Sequence, residues 1–296
     1  MLSALSAYRH TKRDRFVGVL GYLHVYGKLS ETFKTNLAAK HTYDGAKEHA
    51  LEKGYKLADI DITLPDLTSG RLTEILRARG IKGVILNPLT YNPGPLLPLV
   101  VNINWSYFSL VSITQNIVPL RSHCVAPNHA HTMQLQLDEL RKLGYQKIGL
   151  QMRPGVNSST KGSMMGAFMA DQITRPKAEW VPPLFAENVD AKMFDKWFRK
   201  HRPDCIIASG PKLLPVIEEL GYRMPDDFGL AFVSRAPDSA YAGCTEQHAK
   251  LGAAAFDSVI SQLQSNEQGL PLFPRVTLIE GTWVWQPTLR RNHAGT

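Results

Sequence analysis

The chain has 296 residues, of which 44% are hydrophobic and 20% are charged. These proportions are those of a soluble globular protein and argue against a disordered chain or a coiled coil. No uninterrupted apolar run approaches the roughly 18 residues of a membrane helix. The first 15 residues lack the apolar core of a secretory signal, and the cysteines Cys124, Cys205 and Cys244 are too scattered for a disulfide framework. A reducing cytoplasm is therefore the expected compartment.

The net charge of +8 favours polyanionic partners but does not bear on the fold. Part of it is local, because Arg9, Lys12, Arg13 and Arg15 stand against the single anion Asp14. The rest of the chain is only mildly basic, whereas a nucleic-acid-binding body normally carries a denser basic stripe. The charge alone therefore does not predict DNA binding.

In chain order, the first predicted strand covers residues 16–22. Six more apolar runs are predicted as strands: 57–62, 83–87, 108–114, 147–151, 205–209 and 229–233. A last extended stretch, 276–285, closes the chain. Runs such as 84–86 are apolar on both faces, which is typical of parallel strands covered on both sides. The proline-rich segment 88–98 is predicted to be a loop.

Helical stretches between the strands end in glycine four times. These glycines are Gly54, Gly80, Gly144 and Gly221. Each is predicted to take the left-handed conformation that satisfies the last carbonyl groups of a helix. Helices that alternate with buried strands and are joined by short loops predict an α/β fold with right-handed crossovers.

The search for catalytic and metal motifs is negative. The sequence has no phosphate-binding loop, no strand-anchored dinucleotide fingerprint and no nucleophile elbow. His129 and His131 are two residues apart, so they point to different faces of a helix, and neither has a partner at zinc-site spacing. No enzymatic activity, cofactor or metal is therefore expected.

Five aromatic residues fall in or beside predicted loops: Tyr22, Tyr26, Trp105, Tyr107 and Trp180. Aromatic rings at the open ends of α/β strands can stack on sugar rings, with polar groups around the rim. Aromatic residues are also common in cores, so either role is open for each of them.

Eight segments occur in an order and spacing that resemble a known family. They are VGVL (17–20) after the basic segment, 43–57, 71–89, 101–105, 123–150, 202–209, 219–234 and 244–263. Together they resemble the effector-binding core of the LacI/GalR family of bacterial transcription regulators, which shares its fold with type I periplasmic sugar-binding proteins. The resemblance covers roughly residues 8–290. The helix-turn-helix head of that family is not recognised in this chain, so operator DNA is expected to be a partner only through a missing head.

The resemblance implies two Rossmann-like α/β subdomains with parallel sheets, joined by three crossovers near residues 124, 246 and 273. The expected parts are a basic, hinge-like remnant (1–14), an N-terminal subdomain (15–124 plus 247–272), a C-terminal subdomain (125–246 plus 273–290) and a tail (291–296). It also implies a homodimer, for which the helices 73–80 and 251–263 are candidate contacts. No membrane partner is expected.

The resemblance further implies a cleft that senses a small polar effector, such as a sugar or sugar derivative, and changes operator affinity through a shift between conformations. The expected ligand-binding residues are Tyr22, His24, Tyr26, Asn87, Trp105, Asn128, Lys161, Arg235 and Asp238. Trp105 is expected to stack on the ligand, and Asn128, Lys161 and Arg235 to supply hydrogen bonds.

Three positions depart from the family pattern. Asn128 stands near an expected Asp, only Lys161 or Ser163 lies near an expected Arg, and Ser234-Arg235 replaces a late Asp. The ligand is therefore expected to differ from those of well-known members. The alternatives are a sugar-binding protein of a transport system and an unrecognised α/β enzyme.

Overall fold

The computed structural model describes residues 17–87, 97–114 and 120–291. The basic residues Arg9, Lys12, Arg13 and Arg15, together with most of the predicted loop 88–98, lie outside the described residues. No described helix is long and apolar enough to cross a membrane.

The chain divides into two compact units. Unit 1 comprises the residues up to Ala126 together with His248–Ile279, and unit 2 comprises Pro127–Gln247 together with the residues from Glu280 onward. The chain therefore passes from one unit to the other three times. The third passage follows Ile279, which is later than the predicted position near residue 273.

The described residues contain twelve strands. They are β1 (Gly18–His24), β2 (Tyr55–Asp61), β3 (Gly83–Asn87), β4 (Ser109–Ile113), β5 (His123–Pro127), β6 (Ile148–Met152), β7 (Leu184–Phe185), β8 (Cys205–Ala208), β9 (Gly229–Phe232), β10 (Ala242–Thr245), β11 (Val276–Ile279) and β12 (Thr282–Val284). The seven predicted strands are all present, with ends that agree within two residues. The predicted stretch 276–285 is instead two strands in different sheets, and β5, β7 and β10 were not predicted.

Ten α-helices accompany these strands in the described residues. They are α1 (Leu29–Thr35), α2 (Leu37–Glu52), α3 (Ser69–Ala78), α4 (Leu97–Val101), α5 (His129–Lys142), α6 (Pro154–Ser159), α7 (Ser163–Ile173), α8 (Ala191–His201), α9 (Leu214–Glu219) and α10 (His248–Gln264). The four predicted helix-closing glycines all have positive φ, from 66° at Gly80 to 86° at Gly144, which confirms that prediction.

Unit 1 contains a six-stranded sheet of order β11-β5-β4-β3-β1-β2, in which β1 to β5 pair in parallel. Helices α2 and α10 cover one face of this sheet, and α3, α4 and a short 3₁₀ helix (Trp105–Tyr107) cover the other. Helices α2 and α10 approach very closely, because a Cβ atom at Gly252 would lie 2.0 Å from the carbonyl oxygen of Thr42. Only glycine permits this crossing.

Unit 2 contains a second six-stranded sheet, of order β12-β10-β9-β8-β6-β7, which is parallel except for the antiparallel edge strand β12. Helices α5 and α7 pack on one face and α8 and α9 on the other. Both faces of the sheet are thus buried, as the apolar runs in the sequence predict.

Candidate functional site

Ligands of parallel α/β sheets bind at the carboxyl ends of the strands, where the loops carry polar side chains. In unit 1 we define the unit 1 edge as Tyr22, His24, Tyr26, Asp61 and Asn87, which lie on or directly after β1, β2 and β3. In unit 2 we define the unit 2 edge by residues at the ends of β6, β7 and β8: Gln151, Arg153, Glu187 and Ser209.

Tyr22 and Asn87 form a buried polar pair at the unit 1 edge. Both side chains are fully buried, and the Asn87 Nδ2 donates a hydrogen bond to the Tyr22 hydroxyl oxygen at 2.6 Å. Burial is the main cause of a strongly raised pKa at Tyr22, so this phenol is neutral at physiological pH. The Asn87 Oδ1 is buried, and no group of the described residues donates a hydrogen bond to it. An unpaired buried acceptor costs about 1–3 kcal/mol, so a ligand group that donates a hydrogen bond to it is favoured.

His24 and Tyr26 form a stacked pair beside this acceptor. Their ring centroids are 5.6 Å apart and their planes differ by 13°. The Tyr26 backbone N–H donates to the His24 Nδ1 at 3.3 Å, so the neutral ring carries its proton on Nε2. The His24 side chain is 1% exposed, and burial lowers its pKa, although the nearby carboxylates of Asp61 and Asp59 act in the opposite direction.

The unit 2 edge is a network of charged and hydroxyl groups. The Ser209 hydroxyl donates to the Gln151 Oε1 at 3.1 Å and accepts from the Arg153 backbone N–H at 3.1 Å. The Arg153 guanidinium donates to the Ser209 carbonyl at 3.3 Å and lies 3.8 Å from the Glu187 carboxylate. Glu187 also accepts from the Gly155 N–H, so the loops after β6, β7 and β8 are tied together.

Arg153 and Ser209 were not predicted as site residues. Each directly follows the last residue of an observed strand, Met152 of β6 in one case and Ala208 of β8 in the other. Both residues could therefore be identified in the sequence as the first polar residue after a buried strand. Catalytic motifs do not include this signal.

The structure places the Trp105 side chain in the hydrophobic core of unit 1, whereas the sequence prediction gives it a stacking role on the ligand. Its side chain is 4% exposed, its indole N–H donates to the Val100 carbonyl at 3.0 Å, and its ring packs edge-on against Phe108. The apolar run before it forms part of helix α4 rather than a strand, so Trp105 turns into the core of unit 1 instead of facing a ligand. A buried indole with a satisfied N–H is a packing residue.

The side chains of Asn128 and Arg235 both form hydrogen bonds with backbone groups of residues nearby in the sequence. The Asn128 side chain caps helix α5 by accepting from the His131 N–H at 3.2 Å. The Arg235 guanidinium is buried and donates to the carbonyls of Tyr241 and Ser239, which fixes the loop after β9. Their predicted contacts with a ligand remain proposals, and the groups described are already used in local structure.

Lys161 and Asp238 are exposed to solvent. Exposure is compatible both with a contact to a ligand and with a solvated surface residue. Lys161 has a φ of 52° in the turn before helix α7, a backbone conformation that lysine rarely adopts. The backbone conformation of Lys161 is therefore set by this turn, and it gives no independent support to a role of the side chain in binding. Among the described residues no group of three or more His, Cys, Asp or Glu side chains is arranged to hold a metal ion.

Comparison with known proteins points in one direction. No family model matches the chain. The HTH-type transcriptional regulator PtxS of Pseudomonas aeruginosa is 22% identical over 259 residues, covering 80% of this chain and 72% of that protein.

Solved structures match over nearly the whole chain. The LacI family transcriptional regulator CCPA of Weissella paramesenteroides with bound glucose has a TM-score of 0.61 at 13% identity, over 92% of this chain and 98% of that one. A LacI-family regulator of Rhizobium etli has a TM-score of 0.64 at 13% identity, over 93% and 99%. The regulator CelR in complex with cellobiose has a TM-score of 0.62 at 13% identity, over 96% and 89%. The α/β fold with two parallel sheets predicted from the sequence is thus confirmed, and it is the fold of the LacI-family transcriptional regulators.

Proposed function

We propose that this chain is the effector-binding core of a LacI-type transcription regulator, which senses a small polar molecule through the carboxyl edges of its sheets. The observation that carries this proposal is the buried Asn87 Oδ1, which lacks a donor in the part of the chain that the structure describes, beside the neutral Tyr22 hydroxyl. A hydroxyl group of a sugar donates one hydrogen bond and accepts others, so it matches this donor–acceptor pair.

The relatives support the class of ligand. Structures of similar fold hold glucose, sucrose or cellobiose. Regulation would follow from differential affinity: a ligand that binds one conformation of the core better than another shifts the population toward it and so changes operator affinity.

Homodimerisation is part of the proposal. The candidate contact helices α3 and α10, however, do not offer their apolar residues to a partner. The apolar residues of α3 and α10, among them Leu72, Leu76 and Phe256, are buried inside unit 1. Residues on the outer faces, such as Arg71 and Asp257, are polar. A dimer through these helices would therefore use polar and charged contacts around a smaller apolar centre.

A thermal-shift screen with glucose, sucrose and cellobiose, extended to sugar acids and nucleosides, tests the function. A ligand that binds the native state raises the melting temperature, and the rise grows with the ratio of ligand concentration to Kd. We expect one polyhydroxylated compound to do so for the wild type and to lose most of its effect in Asn87→Ala.

Asn102→Ala is the matched control, since Asn102 is an exposed asparagine of the same unit. It should respond like the wild type. A stabilising compound with equal effect on Asn87→Ala and the control would contradict the assigned site, and no response to any compound of these classes would contradict the ligand class.

A further inference from the structure

Three residues connect the end of β1 to the following helix. The Tyr26 N–H is bonded to the His24 Nδ1, and the Tyr26 carbonyl accepts from the Thr32 hydroxyl of α1 at 2.7 Å. We call His24, Tyr26 and Thr32 the His24 latch. We propose that this latch is a pH-sensitive switch: with a neutral His24 ring it fixes Tyr26 and α1, and protonation of His24 releases them.

The geometry requires a neutral ring for two reasons. A backbone N–H can donate to Nδ1 only while that nitrogen has no proton, so protonation places two donors against each other. The ring is also 1% exposed and is stacked on Tyr26, so the cation would lose its hydration. A released Tyr26 also frees the carbonyl that holds Thr32, so the change is transmitted to α1.

The groups around His24 decide when the switch operates. Asp59 and Asp61 on β2 are the charged groups that face it, and both favour the cation. Tyr22 and Tyr43, from β1 and α2, have pKa values raised by burial and stay neutral, and Asn87 on β3 carries no charge. Burial outweighs the two carboxylates, so the pKa of His24 lies below its usual value and the latch is closed at neutral pH.

The latch borders the proposed ligand acceptor, because His24 pairs in register with Asn87 across β1 and β3. Acid would therefore weaken effector binding as well as loosen the segment. This last step rests on the proposed function, whereas the release of the latch does not.

Hydrogen–deuterium exchange of residues 24–36, measured without any ligand between about pH 4.5 and pH 8 and corrected for the intrinsic rate, tests the switch. We expect the protection of this segment to fall in acid by up to about tenfold per pH unit, the limit for release coupled to one proton. In His24→Asn, the side-chain oxygen can replace Nδ1 as an acceptor but does not titrate in this range. That variant should show protection that does not depend on pH.

His201→Asn is the control, since burial also lowers the pKa of His201, which lies on α8 of unit 2. It should keep the pH profile of the wild type. Protection independent of pH in the wild type, or an unchanged acid response in His24→Asn, would overturn the switch.

The ¹⁵N shifts of the His24 ring give a second readout that does not depend on the stability of a variant. They should report an Nε2–H tautomer at pH 7, and an Nδ1–H tautomer would contradict the latch. Because neither measurement uses a ligand, a failed sugar screen leaves this result standing, and a failed latch leaves the screen standing.

Discussion

The carboxyl edges of the two sheets have the same strand geometry and opposite chemistry. Apart from the Asp61 carboxylate, the unit 1 edge is built from neutral and aromatic groups, with the buried Tyr22–Asn87 pair and the stacked His24 and Tyr26. The unit 2 edge is built around the Arg153 guanidinium, which joins Ser209 and Glu187. In unit 1 the edge is held by packing, whereas in unit 2 it is held by charge and hydroxyl bonds. Among the described residues, the Asn87 Oδ1 of unit 1 lacks a donor and the Arg153 Nε of unit 2 lacks an acceptor.

This difference shows that strand position predicts where a functional side chain lies but not how it is held. Parallel strands bring their ends to one edge in either unit. What the edge can bind depends on which of its polar atoms are already used locally. Substitutions that alter one unit at a time therefore test the difference between the two edges.

The largest effect is expected from Trp105→Ala. Because this side chain is buried in the core of unit 1, its removal should cost about 3–5 kcal/mol of unfolding free energy. Trp180→Ala removes a tryptophan of unit 2 that is 38% exposed, and it should cost much less. Denaturant unfolding followed by far-UV circular dichroism compares the two. If both variants lose the same unfolding free energy, Trp105 is not a core residue and its predicted contact with the ligand stands.

A smaller effect should separate the two edges directly. Arg153→Met leaves the Glu187 carboxylate and the Ser209 carbonyl without their cationic partner, and should cost about 1–3 kcal/mol. Asn87→Leu removes an acceptor that the described residues leave without a donor, but it also removes the hydrogen bond to the buried Tyr22 hydroxyl. The two effects oppose each other, so the unliganded protein should lose less stability than Arg153→Met does. Thermal unfolding without ligand measures both, and the reverse order of the two would break the contrast.

The pH dependence of stability tests the same difference at the other end of the unit 1 sheet. Unit 1 also has a charge network, but it lies at the amino end of β5 and not at the carboxyl edge. The Glu267 carboxylate is bonded to the His123 Nε2 and to the Arg275 guanidinium, both at 2.6 Å, and these bonds lower its pKa. A lowered carboxyl pKa stabilises the folded state above its ordinary value, and this stabilisation is lost as the pH falls through the folded-state pKa. The stability difference between wild type and Glu267→Gln should therefore shrink from pH 6 to about pH 3. A constant difference in urea unfolding would show that the network does not titrate.

The smallest effect is expected at Lys161. Its φ of 52° is readily adopted by glycine, so Lys161→Gly should raise the free energy of unfolding, measured in urea, by about 1 kcal/mol or less. Lys161→Ala keeps the strained backbone and should leave stability unchanged. If both variants bind ligand like the wild type, the residue serves the turn rather than the site.

Much of the fold follows from the sequence because its elements carry strong local signals. The glycines Gly54, Gly80, Gly144 and Gly221 close helices, the β8 strand is a continuous apolar run, and β3 is apolar up to its last residue. Two of the missed strands have weak signals: β7 has only two residues, and β10 begins with Ala242 and Gly243, which have little preference for strands. Their pairing comes from the neighbouring strands and not from their own residues.

The site is predictable only in part. Residues after the first and third strands, such as His24 and Asn87, come together because their strands are neighbours. Trp105 could not be placed, because the apolar run before it fits a strand as well as the helix it forms. The capping role of Asn128 and the loop contacts of Arg235 depend on backbone groups that a sequence pattern does not locate.

The division of the chain into interleaved units has a consequence for its synthesis. Unit 1 begins first but is complete only when α10 and β11 have left the ribosome, after nearly all of unit 2. Until then, the α2 residues that pack against α10, among them Ala46 and Ala50, lack the helix that covers them. The usual order, in which the N-terminal domain folds first, is therefore not open to this protein. Unit 2, which starts later in the chain, can form most of its sheet before the last helix of unit 1 has been synthesised.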